Sequence, residues 1–242
     1  FSNYALEELS GPRYSLNLSQ QRDGGNYYAV ATVKPAHQAV AEASVKRFLE
    51  SDAEPIGVNQ AALISLDFRT GEIISYVGGK KYGYNSDRGE TSYDRVRAQR
   101  QPGSTFKLFT YLAALEDGMS PEDQISCARI FQLEAGCRQG SATLSMSQGL
   151  ALSENPIALH LADKTGFDLV IRMARKLGIT TRLEANPSMV LGGNEALLYE
   201  MAQAYAIVAN GGRAVSLHGV NRIYDLTICG SEQALNLCPS HG

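Results

Sequence analysis

The sequence predicts an α+β fold in which helices pack about an antiparallel sheet. Three observations lead there. Two β-branched runs joined by a short turn span 59–79, apolar segments of helical period follow one another between 104 and 212, and β-like character returns over 214–227.

Residues 1–34 alternate polar and apolar side chains and are broken by "GP" and "DGG", which predicts short strands or an extended linker with little core of its own. Pro35 suits a first helical turn, and Ala39, Ala43, Val45 and Phe48 recur at helical spacing, so a helix is expected to about residue 50. "NQAALISLD" and "GEIISYVGG" read as a hairpin, with Gly71 closing the turn in "FRTG". An irregular stretch covers 80–103. Its arginines, Arg88, Arg95, Arg97 and Arg100, lie among Asp87, Glu90 and Asp94, which reads as a solvated, self-paired loop.

A helix is expected over 104–117 and is ended by Gly118. Phe106, Leu108, Phe109, Tyr111, Leu112, Ala113 and Leu115 cover nearly its whole circumference, the mark of a helix in the middle of a domain. Thr143 is positioned to cap a helix through Leu150, and "SEN" at 153–155 interrupts before Pro156 opens another. "FDLVIRMARKLG" is a further amphipathic helix. The last runs over 194–212, with Leu197, Met201, Ala204, Tyr205 and Val208 on one face.

The 242 residues carry a net charge of -3, against a general nucleic-acid binder, which needs a basic surface to neutralise phosphates. No run approaches the roughly 18 apolar residues that would cross a bilayer. The four cysteines fall into two close couples, Cys127 with Cys137 and Cys229 with Cys238, and neither has C-x-x-C spacing. Local disulfides in an oxidising compartment fit this usage; four buried free thiols are the alternative. His37, His160, His218 and His241 are isolated, His160 reading as a surface or packed side chain of a helix, and no cofactor or metal is implied.

The chemistry concentrates in "RQPGSTFKLFTY". Ser104 and Lys107 are three residues apart, so a helix puts both on one face with a rise of about 4.5 Å, within reach of each other. S-x-x-K alone is a weak signal, equally satisfied by a capping serine and a lysine that snorkels to solvent. Its setting is unusual, because the lysine stands on an otherwise apolar helix where a charge is costly unless paired or neutralised. A lysine working as a base near neutral pH needs its pKa brought to about 7 from about 10.4, and desolvation can do this.

"AALISLDFRTGEIISYVGG", "RQPGSTFKLFTYLAALEDG", "SENPIALHLADKTG" and "PSMVLGGNEALLYEMAQAYAIVANGG" occur in an order that resembles the transpeptidase domain of the bifunctional (class A) penicillin-binding proteins. The resemblance implies that domain's serine β-lactamase-like fold, an antiparallel sheet with a helical lobe, over residues 35–242 with 1–34 leading in. It implies that Ser104 is the acylated nucleophile and Lys107 its base, the S-x-x-K pair. Ser153 and Asn155 match the S-x-N motif, in which the serine relays a proton and the amide binds the substrate peptide. Leu108 stands where many relatives have proline.

By the same resemblance the substrates are peptidoglycan stem peptides ending in D-Ala-D-Ala, the inhibitors are β-lactam antibiotics, and the compartment is the periplasm, with the parent protein tethered to the inner membrane. A D,D-carboxypeptidase, a serine β-lactamase and a non-catalytic module are the alternatives. Relatives carry K-T-G on a strand beyond the last helix, whereas "KTG" here is Lys164, Thr165 and Gly166, at the end of a helix where Gly166 reads as a stop. The expectation is therefore a domain incomplete at its C-terminal end, with only the hairpin secure in its sheet. Taken alone, the segment is expected to acylate slowly or not at all, while its full-length parent is penicillin-sensitive.

Overall fold

The computed structural model describes residues 1–14, 16, 27–84, 92–132, 136–138 and 140–226. In chain order its elements are helix α1 (Ser2–Ser10), strand β1 (Tyr27–Ala31), α2 (Pro35–Ser51), β2 (Leu63–Leu66), β3 (Ile73–Val77) and β4 (Gln99–Arg100). A 3₁₀ turn (Gly103–Phe106) leads into α3 (Lys107–Glu116), followed by β5 (Gln124–Ser126), β6 (Thr143–Ser145), α4 (Met146–Ala151), α5 (Asn155–Thr165) and α6 (Phe167–Lys176). The series closes with α7 (Pro187–Val190), β7 (Ala196–Leu197), α8 (Leu198–Ala209) and β8 (Val220–Asp225). The Cys229–Cys238 couple lies outside the described residues. No helix among those described is long and apolar enough to cross a membrane.

The chain forms two compact units, one of residues 1–97 with the chain from 205 onward, the other Ala98–Ala204. In the first, β2 and β3 make the expected antiparallel hairpin, Leu63 facing Val77 and Ser65 facing Ser75. Helix α2 covers it with Ala41, Val45 and Leu49, which cluster with Ala53 and Val77. This is a different stripe from the predicted one, since Ala39, Ala43 and Phe48 are exposed. Positions four apart in either frame suit a helix, and the frame that is buried is the one carrying both Val45 and Leu49.

The N-terminal segment differs from its strand or linker reading. Ser2–Ser10 is a helix whose Leu9 packs with Val220 and Ile223, while Tyr27–Ala31 is a strand paired antiparallel with β8. This pair and the hairpin are two separate two-stranded sheets. Ile73 N–H donates to the His218 carbonyl and Lys34 N–H to the Ile74 carbonyl, joining this second ladder to β3 through a parallel bridge between Glu72 and His218. Among the described residues of the irregular stretch, Arg97 bridges to Glu7 of α1, and Arg95 lies over the Tyr93 ring. Asp94 accepts from the Tyr76 hydroxyl. Arg88, Asp87 and Glu90 lie outside the described residues.

In the second unit α3 packs between α5 and α6. Phe106, Phe109, Ala113 and Ala114 of the turn and α3 are fully buried, together with Ile157, Leu161 and Ala162 of α5 and Val170 and Ala174 of α6. The all-round apolar character of α3 is used except at Leu115, which is exposed. The capping residue before α4 is Ser145 rather than Thr143. Ser145 and Gln148 form a reciprocal capping box, while Thr143 pairs with Ser126 in the short β5–β6 ladder. On α8 the inward positions are Met201, Ala204 and Ile207, whereas Tyr205 and Val208 are exposed.

Candidate active site

All four predicted site residues fall in the second unit. The chain reaches them through β4, paired with β7, so the "QR" and "AL" segments hold one another. Pro102 then leads into the 3₁₀ turn. Ser104 sits in that turn with its side chain exposed, and α3 begins at Lys107, not at Ser104 as the periodicity suggested. Tight turns of this kind are common at helix starts, and positions three apart eclipse in them, so Ser104 and Lys107 issue from one edge. The capping alternative for Ser104 is removed: the residue before α3 is Phe106, and it makes no side-chain cap.

The turn is also pinned from outside. Gly103 N–H donates to the Gly192 carbonyl at 3.3 Å. Gly192 has φ +77°, and a Cβ there would stand 2.0 Å from the Gly103 carbonyl oxygen. Only a residue without a side chain permits this approach. Gly192 of "LGG" therefore buttresses the serine turn, a role the sequence reading did not assign.

Lys107 is buried, with 1% of its surface exposed. Its amine donates to the Ser153 carbonyl at 2.7 Å, to Ser153 Oγ at 3.2 Å and to Asn155 Oδ1 at 2.6 Å. Structure thus brings together three of the four predicted residues by direct bonds, with Ser104 one turn upstream. Burial lowers the lysine pKa below 10.5, the Arg138 guanidinium lowers it further, and the Glu154 carboxylate acts in the opposite sense.

The three partners differ in what they can do. A main-chain carbonyl and an amide oxygen only accept, whereas a hydroxyl also donates. When Lys107 is neutral it keeps its bonds to the Ser153 carbonyl and Asn155 Oδ1, and its lone pair can take the Ser153 hydroxyl proton. Ser153 Oγ is the one partner through which a proton can leave or return. With Asn155 Oδ1 turned to the amine, the amide NH₂ is directed elsewhere and can donate to a ligand.

Ser153 itself is held at φ +54°, a left-handed conformation uncommon for a residue with a side chain. Its N–H donates to the Leu150 carbonyl and the next N–H, of Glu154, to the Gly149 carbonyl. Such strain persists where its surroundings over-determine it, and functional sites are where it collects. Glu154, between the two motif residues, is only 3% exposed, and its Oε1 accepts the Arg138 main-chain N–H at 3.2 Å. Sequence reasoning passed over Glu154 and Arg138; the signal available was a carboxylate inside the motif, just ahead of a helix start, where negative charge is favoured.

The other sequence candidates sit elsewhere. Lys164 and Thr165 end α5, and Gly166 at φ +94° forms the joint to α6, so this "KTG" is the helix stop it was read as. His160 lies on α5 and donates from Nε2 to the Ala128 carbonyl at 3.1 Å. Cys127 and Cys137 form a disulfide.

Known proteins share this organisation. The family described as the penicillin binding protein transpeptidase domain matches residues 61–237. Penicillin-binding protein 1A of Neisseria meningitidis serogroup A is 35% identical over 178 residues, covering 69% of this chain and 22% of the relative. Penicillin-binding protein 2D of Bacillus subtilis is 28% identical over 237 residues, covering 93% of this chain and 33% of the relative, so the chain spans a third or less of the length of these two. Among solved structures, PonA1 of Mycobacterium tuberculosis in complex with penicillin V aligns with a TM-score of 0.77 at 23% identity, over 93% of this chain and 62% of that one. Penicillin-binding protein 1A of Haemophilus influenzae aligns at 0.74 and 19% identity, over 93% and 48%. With a match over most of its length, this chain belongs to the penicillin-binding protein transpeptidase domain family.

Proposed function

We propose that the chain carries out serine-type D,D-transpeptidation, of the class A kind, on peptidoglycan stem peptides ending in D-Ala-D-Ala. The observation that carries this reading is the buried Lys107 amine, bonded to Ser153 and Asn155 and eclipsed with Ser104 on the turn before it. The class A assignment is supported by relatives named penicillin-binding protein 1A.

In this reading the neutral Lys107 amine takes the Ser104 hydroxyl proton as Oγ attacks the penultimate D-Ala carbonyl carbon. The tetrahedral adduct collapses, the amide C–N bond breaks, and the departing D-Ala nitrogen receives that proton by way of Lys107 and Ser153. An amine of a neighbouring strand then attacks the acyl-Ser104 ester and restores the serine. Asn155 orients the donor peptide through its amide NH₂. A β-lactam follows the first half of the course and leaves the serine acylated; one structural neighbour, penicillin-binding protein A of Mycobacterium tuberculosis, is a ceftriaxone acyl-enzyme complex. Residues 35–242 constitute the domain in this proposal, and its compartment is the periplasm, the parent being tethered to the membrane.

Intact-mass measurement after incubation with penicillin V tests the proposal. The expected result is one added penicillin mass, mapped to the peptide containing Ser104 and missing from Ser104→Ala. A folded, full-length parent that stays unlabelled would overturn it.

A further inference from the structure

Two bonds tie the disulfide-closed segment to the helix that carries the S-E-N turn. Next to Cys127, the Ala128 carbonyl accepts from His160 of α5; next to Cys137, the Arg138 N–H donates to Glu154 at the start of α5. The bridge joins the two anchors, with its Cα atoms 5.2 Å apart. Glu154 is therefore shared, its side chain holding the bridged segment while its backbone lies between Ser153 and Asn155, the two residues that grip Lys107.

We propose that Glu154 is a positioning residue for the acyl-transfer site: a buried carboxylate that clamps the disulfide-closed segment onto the S-E-N turn and sets its charge between Ser153 and Asn155, the two residues that hold the Lys107 amine. The proposal rests on the transpeptidase reading above only for its kinetic readout.

Burial makes the carboxylate count. A charge 3% exposed is poorly screened, so it acts on its neighbours over distances at which a surface carboxylate would not. Its charge acts on two α3 groups one turn apart. It opposes the lowering of the Lys107 pKa, and after burial itself it is the cause that raises the Tyr111 hydroxyl. The other charges on the packed elements are Glu116 on α3, Asp163 and Lys164 on α5, and Asp168, Arg172, Arg175 and Lys176 on α6. On α6, Lys176 bridges to Glu116 at the far end of α3 and Arg175 donates to the Ile179 carbonyl. On α5, Asp163 and Lys164 stand in the last turn, and His160 is bonded to Ala128. Arg138, exposed and opposite in sign to Glu154, is the remaining charge that acts on Lys107.

The clamp and the charge separate by substitution. Glu154→Gln retains an oxygen that accepts the Arg138 N–H and removes the charge. Cys127→Ser with Cys137→Ser opens the bridge and leaves the charge in place. Lysine ¹³Cε NMR of the protein, with Lys107→Met for assignment, should show the Lys107 midpoint falling by at least about half a pH unit in Glu154→Gln, since an attractive charge is lost. The acid limb of fluorescent-penicillin labelling should move to lower pH by the same amount. Opening the bridge should slow labelling about tenfold at every pH and leave that limb in place.

A Lys107 midpoint unchanged or raised in Glu154→Gln overturns the charge role, and a labelling rate unchanged without the bridge overturns the clamp. If the full-length wild-type parent does not label at all, the transpeptidase reading falls, while the NMR midpoint still decides whether Glu154 tunes Lys107.

Discussion

Lys107 of α3 donates a 2.7 Å hydrogen bond to the main-chain carbonyl of Ser153, a residue 46 positions away in sequence and itself at φ +54°. Helix α3 and the S-E-N turn are thus fastened by this bond, so the lysine, the proposed base, is also a strut. Lys107→Arg is expected to abolish penicillin labelling, because a guanidinium keeps its proton throughout the accessible pH range. Lys107→Met should abolish it too and cost about 1–3 kcal/mol in urea unfolding, since three partly buried acceptors lose their donor.

The pH dependence follows from the lowered lysine pKa. Below its folded-state value Lys107 is charged in both folded and unfolded chains, and the cost of burying that charge is carried in full. As pH rises from the folded value towards 10.5, the folded amine is already neutral while the unfolded one still holds its proton, so the cost is progressively relieved. Stability of the wild type relative to Lys107→Met should therefore increase across that window. Parallel urea titrations of both proteins measure it, and a difference that shrinks with rising pH would contradict the assignment.

Ser153 allows strain and chemistry to be told apart. Ser153→Ala and Ser153→Gly both remove the hydroxyl, and both should reduce labelling by about 10²-fold or more, the scale of a lost general acid–base group. Only glycine is at ease at φ +54°, so Ser153→Gly should unfold at higher denaturant than Ser153→Ala, by about 1 kcal/mol.

Gly192 and Gly118 form a matched pair. Both have positive φ, +77° and +90°, but an added Cβ meets the Gly103 carbonyl at 2.0 Å in the first and no atom within 4 Å in the second. Gly118→Ala should cost about 1 kcal/mol and leave labelling intact. Gly192→Ala should cost about 3 kcal/mol or more and slow labelling as well, because relief of the clash requires the Ser104 turn to move. Equal costs for the two would show that the Gly103 contact does not constrain the turn.

The bridge at Cys127 and Cys137 closes a sequence separation of 10 residues. Reduction is expected to lower stability by about 3 kcal/mol if constraint of the unfolded chain is the main effect. Thermal unfolding with and without reductant measures this.

The sequence alone determined the elements whose signals are local. The β2–β3 hairpin was legible in two β-branched runs and a glycine turn, α3 in its apolar coat, and the joint at Gly166 in a glycine between two helical periods. The candidate site residues were named from the sequence through the ordered set of motifs and the family it resembles, since neither Ser104 with Lys107 nor Ser153 with Asn155 is a strong signal by its spacing alone. Tertiary structure decided the rest. Whether α2 buries Ala41, Val45 and Leu49 or the neighbouring frame depends on which face meets β3, and two frames of similar apolarity leave period alone without a preference. Ser2–Ser10 is a helix because Leu9 has Val220 and Ile223 to pack on, more than 200 residues later, and β1 is a strand because β8 pairs with it. Glu154, a surface charge by composition, becomes a buried group because the segment beside the Cys127–Cys137 bridge covers it. Local sequence sets which conformations a segment favours; desolvation and long-range pairing select among them, and these exist only once distant parts of the chain have met.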